Sequence, residues 1–329
     1  MVCTECNDAP SNGNYGLSRT YNLRYKDYSR NIILTDYGLV DDLCRDFCQQ
    51  ARSNVETVAQ FIDDNFNKPL DRYEAIINVN VKDKYGNYHP AGWGRTTRRA
   101  LFGQRDINGR NRSYGTDITV VAHEFCHGLI QQIEEEINSE CSQSPEKIRR
   151  KDDEFSEKNA LEESFCDIFA VLVRNYHRDY GFYWNNPHNW LWDVGENFRE
   201  GTGSMRQLDT LLSLRFTDAG NVYQQIQIND RTTAKDYHEL SLIHSHAFYR
   251  LMTIHNTVID GEPLFNGEFA LKLFGAVLED ISTLDRFPKS FSKSRRAFEE
   301  KAQVLLRASP HTNHQLDAIS QAFIDVGIE

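Results

Sequence analysis

The sequence predicts an α+β protein of two lobes, a first lobe that contains a mixed sheet and a second that is mostly helical. Two patterns indicate this division. Residues 76–81 alternate as a half-buried strand does. In the second half, apolar residues recur at helical spacings in one segment after another. The 329 residues are enough for one large domain or two lobes with a substantial core.

The composition is that of a globular protein and excludes several classes. Hydrophobic residues make up 40% and charged residues 26% of the chain, and the net charge of −11 argues against a nucleic-acid partner. No run of about 18 apolar residues is present, so no membrane span is expected.

The start, Met1 to Cys6, lacks a basic and then apolar signal region. The protein is therefore expected in the cytoplasm or exported without a classical signal peptide. The oligomeric state is left open.

Seven cysteines, an odd number, favour free thiols in a reducing compartment. Cys3, Cys6, Cys44 and Cys48 have intervals that also occur in structural zinc sites, so a second zinc site is an alternative. A latent form in which Cys6 caps a metal is another, and the role of these cysteines stays open.

The first half divides into an arm and a lobe. Residues 1–40 have little apolar period and are expected to form an extended arm or pro-segment-like region. The N-terminal lobe, 41–134, begins with a predicted helix over 41–66. A turn at 84–87 follows the strand, and further strand and turn pieces are expected at 91–94 and 101–103.

The second half is expected to be helical after a charged insertion at 135–158, whose residues suit a solvated surface segment. The C-terminal lobe, 159–329, begins with a helix at 160–173 that is apolar on one face. Further helices are predicted near 205–214, 239–254, 265–281, 293–307 and 314–326.

The most informative motif is His123-Glu124-Phe125-Cys126-His127, which lies in an apolar run on a helix predicted over about 117–134. Helix positions i and i+4 share a face, so the two histidines can present their nitrogens to one metal ion. Glu124 would take a proton from a water at that ion. The pattern His-Glu-x-x-His is typical of zinc-dependent peptide hydrolysis. The alternative is a chance match in a core helix, but burying these polar groups without a purpose is costly.

Two carboxylates on the next helix are candidates to complete the metal site. Glu163 and Asp167 are four residues apart and share a helix face. Glu163 is expected to be the third zinc ligand, with Glu162 as a rival. Asp167 is expected to accept the other ring N–H of a zinc-bound histidine.

Together these residues resemble the thermolysin family of zinc endopeptidases, where a Glu-x-x-x-Asp helix follows the His-Glu-x-x-His helix. The resemblance covers about residues 70–328. Further segments similar to the family's are Ala91-Gly92-Trp93, Ser204-Met205-Arg206, Asp236-Tyr237-His238 followed by Ala247-Phe248-Tyr249, and 321–327. The protealysin-like branch, which has no signal peptide, is the suggested subgroup.

The resemblance implies a two-lobed zincin of the gluzincin type, with one catalytic zinc in the cleft between the lobes. It implies cleavage of internal bonds of peptide or protein substrates by Glu124-assisted attack of a zinc-bound water. His238 is expected to stabilise the oxyanion, and Arg206 to hold a substrate backbone carbonyl. Ala91 is expected on the substrate-binding edge strand. Residues expected to line a pocket that prefers a bulky apolar residue after the cleaved bond are Val120, Val194 and Met205.

The sequence departs from the family pattern at the active-site tyrosine, at the edge strand and at the calcium-binding positions. The insertion displaces the stretch where the family has an active-site tyrosine, and Tyr237 is only a sequence neighbour of His238. Pro90-Ala91 stands where the edge strand of the family has asparagine. Arg174 and Thr119 stand where the family has calcium-binding acidic residues, so the main calcium site is expected to be lost, although Asp193 and Glu196 remain.

Two alternatives from other classes stay open. One is a catalytically weak zinc protein that acts as a binding module for a partner, or a latent form of the enzyme held by residues 1–40. The other is a related zinc aminopeptidase.

His244 and His246 are expected to have packing or surface roles, and Cys126 and Cys166 to pack inside the two zinc helices. The sequence does not name the physiological substrate or the activation step.

Overall fold

A computed structural model gives the fold and divides the chain into two compact units. The first comprises Met1–Leu129 and Gly195–Ser204, and the second Ile130–Val194 and Met205–Glu329. The residues that the structure describes are 19–24, 31–36, 42–66, 76–79, 90–96, 98–107, 110–140, 157–178, 183–198, 204–217, 222–229, 234–283 and 290–329. The turn predicted at 84–87 and most of the charged insertion lie outside them.

The first unit contains a five-stranded mixed sheet. Its strands are β1 (Arg19–Arg24), β2 (Asn31–Asp36), β3 (Ile76–Val79), β4 (Gly92–Gly94) and β5 (Arg99–Phe102). They lie in the order β1-β2-β3-β5-β4, with β3 parallel to both β2 and β5 and the two outer pairs antiparallel. The predicted strands around 76–81, 91–94 and 101–103 are thus confirmed where they are described. The segment predicted as an extended arm contributes β1 and β2.

Helix α1 (Asp42–Asn65) lies between β2 and β3 in sequence, where the apolar spacing predicted a helix. Its fully buried residues Ala51, Val55, Val58 and Ile62 recur at intervals of three and four, so they form one stripe on the helix surface. The α1 side chain of Asn54 donates to the backbone oxygen of Gly115 at 3.0 Å. This contact joins α1 to the turn that precedes the motif helix.

The turn at Tyr114–Thr116 follows a hairpin of β6 (Gln104–Ile107) and β7 (Arg110–Ser113) and precedes α2 (Ile118–Glu140). Almost every side chain from Val120 to Ile133 is buried. A helix that is buried on all sides is a core element, so the polar side chains within this stretch are enclosed rather than displayed. The unit boundary falls inside α2, between Leu129 and Ile130.

The segment Gly195–Ser204 belongs to the first unit although its chain neighbours belong to the second. Phe198 is fully buried and stacks on Tyr114 with 4.4 Å between ring centroids. Arg105 donates to the Phe198 backbone oxygen at 2.6 Å, and the Gly195 amide donates to Thr119 Oγ1 at 2.8 Å. These contacts attach the segment to α2 and to the hairpin before it.

The second unit is mostly helical, as predicted. After α3 (Glu157–Arg178) come β8 (Asp193–Val194), β9 (Arg206–Gln207), β10 (Leu212–Thr217) and β11 (Val222–Gln227), which form an antiparallel sheet in the order β11-β10-β9-β8. The helix predicted near 205–214 is therefore wrong. The alternation of apolar and polar residues in Leu212–Thr217 is the strand signal that the helical interpretation overlooked.

The remaining helices of the second unit agree with the predicted ones. They are α4 (Tyr237–Met252), α5 (Gly267–Thr283), α6 (Phe291–Leu305) and α7 (Thr312–Ile324), and the small hairpin of β12 (Val258–Ile259) and β13 (Glu262–Pro263) follows α4. Their core is aromatic. Fully buried phenylalanines that pack there are Phe165, Phe169, Phe248, Phe274, Phe298 and Phe323. Among the residues of known structure, no helix is long and apolar enough to cross a membrane.

Candidate metal and catalytic site

Helix α2 brings the two motif histidines together in the first unit. Both are buried, and 3.3 Å separates His123 Nε2 from His127 Nε2. Two nitrogens that each lie about 2.0–2.1 Å from a tetrahedral zinc ion are about 3.3–3.4 Å apart. The separation therefore fits two ligands of one metal ion.

Glu124 is buried beside these histidines in sequence, with 6% of its surface exposed. A carboxylate is rarely enclosed without a partner or a function, because removing its charge from water is costly. Val120, one turn before Glu124 on the same helix, is also buried. Ala91, expected on the edge strand, lies half-buried just before β4.

In the second unit, α3 carries the predicted carboxylates and β9 carries an arginine that contacts both. Arg206 Nη1 donates to Glu163 Oε2 at 3.2 Å, and Nη2 lies 3.2 Å from Asp167 Oδ1. All three side chains are buried, and Asp167 is fully buried. The guanidinium places positive charge between two carboxylates that would otherwise repel each other.

His238 lies in the first turn of α4, near the same group. Its Nε2 is 3.8 Å from Glu163 Oε2, its Nδ1 is 3.7 Å from Asp236 Oδ1, and 46% of its side chain is exposed. Asp236 caps α4 by accepting from the Glu239 amide at 2.9 Å. Burial acts to raise the pKa of Asp236, but its interactions with His238 and the Glu239 amide outweigh this and lower the pKa.

Tyr237 belongs to this group too, although the sequence assigned it no role. Its ring packs on His238 with 4.1 Å between centroids. Burial raises the pKa of its hydroxyl, and the nearby carboxylates of Glu163, Asp236 and Glu162 raise it further. The phenol therefore keeps its proton and is a hydrogen-bond donor. Adjacency to His238 was the only sequence signal.

Two further predicted pocket residues, Val194 and Met205, belong to the second unit and lie on or next to its strands. Val194 is buried on β8 and pairs with Arg206 of β9, while Met205 is half-buried just before β9. Within the second unit, the structure thus brings Glu163, Asp167, Arg206 and His238 into one cluster.

The positions expected to lack calcium have partners of their own. Arg174 Nη1 is 3.4 Å from the Asp193 backbone oxygen. The hydroxyl of Thr119 donates to Asp117 Oδ1 at 2.5 Å while accepting from Gly195. The loss of the calcium site stays a prediction.

The two cysteines of the proposed zinc helices and the two further histidines of α4 are enclosed in the protein. Cys126, Cys166, His244 and His246 are buried. Cys3 and Cys6 and the side chains of Cys44 and Cys48 lie outside the described part of the chain.

Comparison with known proteins places the C-terminal half in a family. A family model described as thermolysin metallopeptidase, alpha-helical domain, matches residues 155–328, which is slightly more than half of the chain. Glu163, Asp167, Arg206 and His238 lie inside the matched range, whereas His123, Glu124 and His127 precede it. A comparison with curated proteins found no match.

Proposed function

The chain belongs to the thermolysin metallopeptidase family, and from this premise we propose that it is a zinc-dependent endopeptidase that hydrolyses internal peptide bonds. The observation that carries the proposal is the 3.3 Å separation between His123 Nε2 and His127 Nε2 on a buried helix. That separation suits a zinc ion, which the family implies. The proposed third ligand is Glu163, supported by its burial and by its place in the matched range.

Zinc held by these residues would act as a Lewis acid that lowers the pKa of a water molecule and polarises the substrate carbonyl. Glu124 accepts the proton of the attacking water, and the water oxygen bonds to the carbonyl carbon. When the carbon–nitrogen bond breaks, Glu124 delivers that proton to the departing amine nitrogen. Burial of Glu124 next to the two histidines in sequence supports this role, because a carboxylate is rarely enclosed without a function.

His238 donates a hydrogen bond to the oxyanion that forms on the substrate. Its exposure of 46% leaves the imidazole accessible to a peptide. Asp167 accepts the second ring N–H of a histidine ligand and so fixes that ring's orientation.

Arg206 holds a backbone carbonyl of the substrate. The planar guanidinium carries five N–H donors in a fixed fork, a geometry suited to binding more than one acceptor. The apolar side chains of Val120, Val194 and Met205 give the preference for a bulky apolar residue after the cleaved bond, with Ala91 beside the substrate backbone.

The test is metal content by mass spectrometry, together with cleavage of a blocked, quenched peptide that has Leu or Phe after the scissile bond. Wild type is expected to contain one zinc per chain. Glu124→Gln is expected to keep the zinc and to lose about 10³-fold or more in kcat. Glu135→Gln, on the same helix and bonded to Gln131, is the matched control and should behave as wild type.

Each alternative outcome has a distinct meaning. Zinc without cleavage in wild type would indicate a latent or binding protein, and deletion of residues 1–40 would be the next experiment. Cleavage of free but not of blocked peptides would indicate an aminopeptidase. Absence of zinc would overturn the proposal.

A further inference from the structure

A histidine outside the proposed active site lies at the centre of a buried polar network in the second unit. His244 Nδ1 is 2.7 Å from Ser164 Oγ on α3, and His244 Nε2 is 2.8 Å from Ser294 Oγ on α6. Ser245 Oγ lies within hydrogen-bond distance of Ser164 Oγ, at 2.8 Å. All four side chains are fully buried. The network therefore joins three helices through side chains that no water reaches.

The surroundings of the imidazole keep it neutral. Four aromatic rings pack around His244, with centroids 5.6–5.9 Å away, and they belong to Phe165, Phe291, Phe298 and Phe323. Burial lowers the pKa of His244 to about 3. A neutral imidazole has one N–H donor and one acceptor nitrogen. Each nitrogen must therefore have a different role toward its serine.

The Ser245 hydroxyl has one hydrogen and two acceptors within reach, Ser164 Oγ at 2.8 Å and the Ser241 backbone oxygen at 3.1 Å. In either tautomer of the neutral imidazole, one ring nitrogen donates to its serine and the other accepts from its serine. The imidazole therefore links Ser164 on α3 to Ser294 on α6.

The network lies one residue from the proposed zinc ligand. Ser164 follows Glu163 on α3, and His244 shares α4 with His238. Only 3.8 Å separates Glu163 Oε2 from His238 Nε2. A sliding movement of α3 along α4 would change that distance directly, and the His244–Ser164 hydrogen bond opposes such a movement.

We propose that His244 is a positioning residue for the active site, which with Ser164 and Ser294 holds Glu163 at its distance from His238. It touches neither substrate nor metal and acts through the alignment of α3 with α4. The catalytic consequence rests on the proposed peptidase function, whereas the structural consequence does not.

The decisive experiment separates positioning from stability. His244→Leu alone leaves the Ser164 and Ser294 hydroxyls buried without this partner and should lower Tm. The triple variant Ser164→Ala, His244→Leu, Ser294→Ala removes these three polar groups, and Ser245 keeps the Ser241 backbone oxygen as its acceptor, so most of the stability should return. If the network positions the site, kcat of the triple variant stays about 10–100-fold below wild type, with KM nearly unchanged. Recovery of kcat together with Tm would overturn the proposal.

Phe298→Leu is the matched control, because Phe298 packs on His244 from the same helix as Ser294 but makes no hydrogen bond through its side chain. It should lower Tm and leave kcat, measured well below Tm, within about twofold of wild type. A fall in kcat as large as that of the triple variant would show that any packing defect here has this effect, which contradicts the proposal.

A readout without catalysis keeps the inference separate from the proposed function. The backbone amide ¹H and ¹⁵N NMR shifts of His238, which is not a chain neighbour of any substituted residue, should move in the triple variant and stay close to wild type in Phe298→Leu. Unmoved shifts in the triple variant would overturn the positioning role. If wild type neither binds zinc nor cleaves peptides, the proposed function fails, and these shifts still decide the inference.

Discussion

The guanidinium of Arg206 donates a hydrogen bond to the carboxylate of Glu163, with 3.2 Å between Nη1 and Oε2, and both side chains are buried. A second nitrogen of the same group lies 3.2 Å from Asp167. One cation therefore contacts two carboxylates of α3, those of Glu163 and Asp167. In the proposed site it has two tasks, because it would align the metal ligand and also bind the substrate.

Replacing Arg206 should damage both stability and activity. In metal-free protein, Arg206→Ala leaves two buried carboxylates without their cation, and the free energy of unfolding should fall by about 3–5 kcal/mol. Arg206→Lys keeps the charge but not the planar fork, so it should recover stability in part and kcat/KM very little. Urea unfolding and peptide cleavage measure the two effects. Equal recovery of both by lysine would argue against bidentate positioning.

A close contact next to His127 predicts the effect of a single methyl group. A Cβ at Gly128 would lie 2.9 Å from Trp93 Cη2, so Gly128→Ala must displace the indole. We expect a loss of about 1–3 kcal/mol in unfolding free energy, typical of overpacking, and lower activity. Gly92→Ala on β4 meets nothing within 4 Å and is the control. The double variant Gly128→Ala, Trp93→Leu should regain stability, and failure to do so would contradict this explanation.

The same reasoning applies more strongly to Gly267. A Cβ there would lie 2.3 Å from Trp184 Cδ2, and the Trp184 ring is held by stacking on Trp190 at 5.4 Å. Gly267→Ala should lower the unfolding free energy by about 3 kcal/mol or more, measured by chemical denaturation. Gly261→Ala offers a comparison, because that residue has open space but a φ of +87°, so only backbone strain of about 1–2 kcal/mol is expected. A larger loss at Gly261 than at Gly267 would refute the steric argument.

Much of the local structure was predictable, because the apolar residues of a buried helix recur at intervals of three and four in the sequence. The positions of His123 and His127 imply one face of a helix, and the 3.3 Å between their nitrogens agrees. The strand β10 was not predicted although its residues alternate, because a run of six residues is short enough to fit a helical spacing as well.

Contacts between distant segments were beyond the sequence. The sequence predicted Arg206 as a substrate-binding residue but did not reveal its contacts with Glu163 and Asp167. His244 was expected to have a packing or surface role. Its hydrogen bonds with Ser164 and Ser294 depend on how α3, α4 and α6 pack, which no local pattern specifies.

The pH dependence of stability should show the effect of one carboxylate near the C-terminal end of α7. Hydrogen bonds from Gln321, then from His255 and Arg250, lower the pKa of Asp325 from 3.8 to about 2, although burial opposes them. A carboxylate with a lowered pKa stabilises the fold above its unfolded pKa and loses that contribution as pH falls through the folded pKa. The contribution should therefore disappear between pH 4 and pH 2.

Asp325→Asn provides the measurement. Wild type should exceed the variant in unfolding free energy by about 0.5–1 kcal/mol at pH 6, the range for partly exposed ion pairs, and the difference should shrink towards pH 2. Denaturant unfolding at several pH values checks this. A difference that stays constant from pH 6 to pH 2 would mean that the carboxylate charge contributes nothing.

The Phe198–Tyr114 stack has a consequence for synthesis of the chain. A ribosome delivers residues in order, so Tyr114 and the helix that carries His123 emerge well before Phe198 does. Until then the face of the Tyr114 ring that Phe198 covers should stay exposed, open to chaperones and to aggregation. A gene fragment that ends near residue 140 would leave that face uncovered permanently, so a shortened version of this unit needs residues 195–204 supplied by a linker or as a separate peptide.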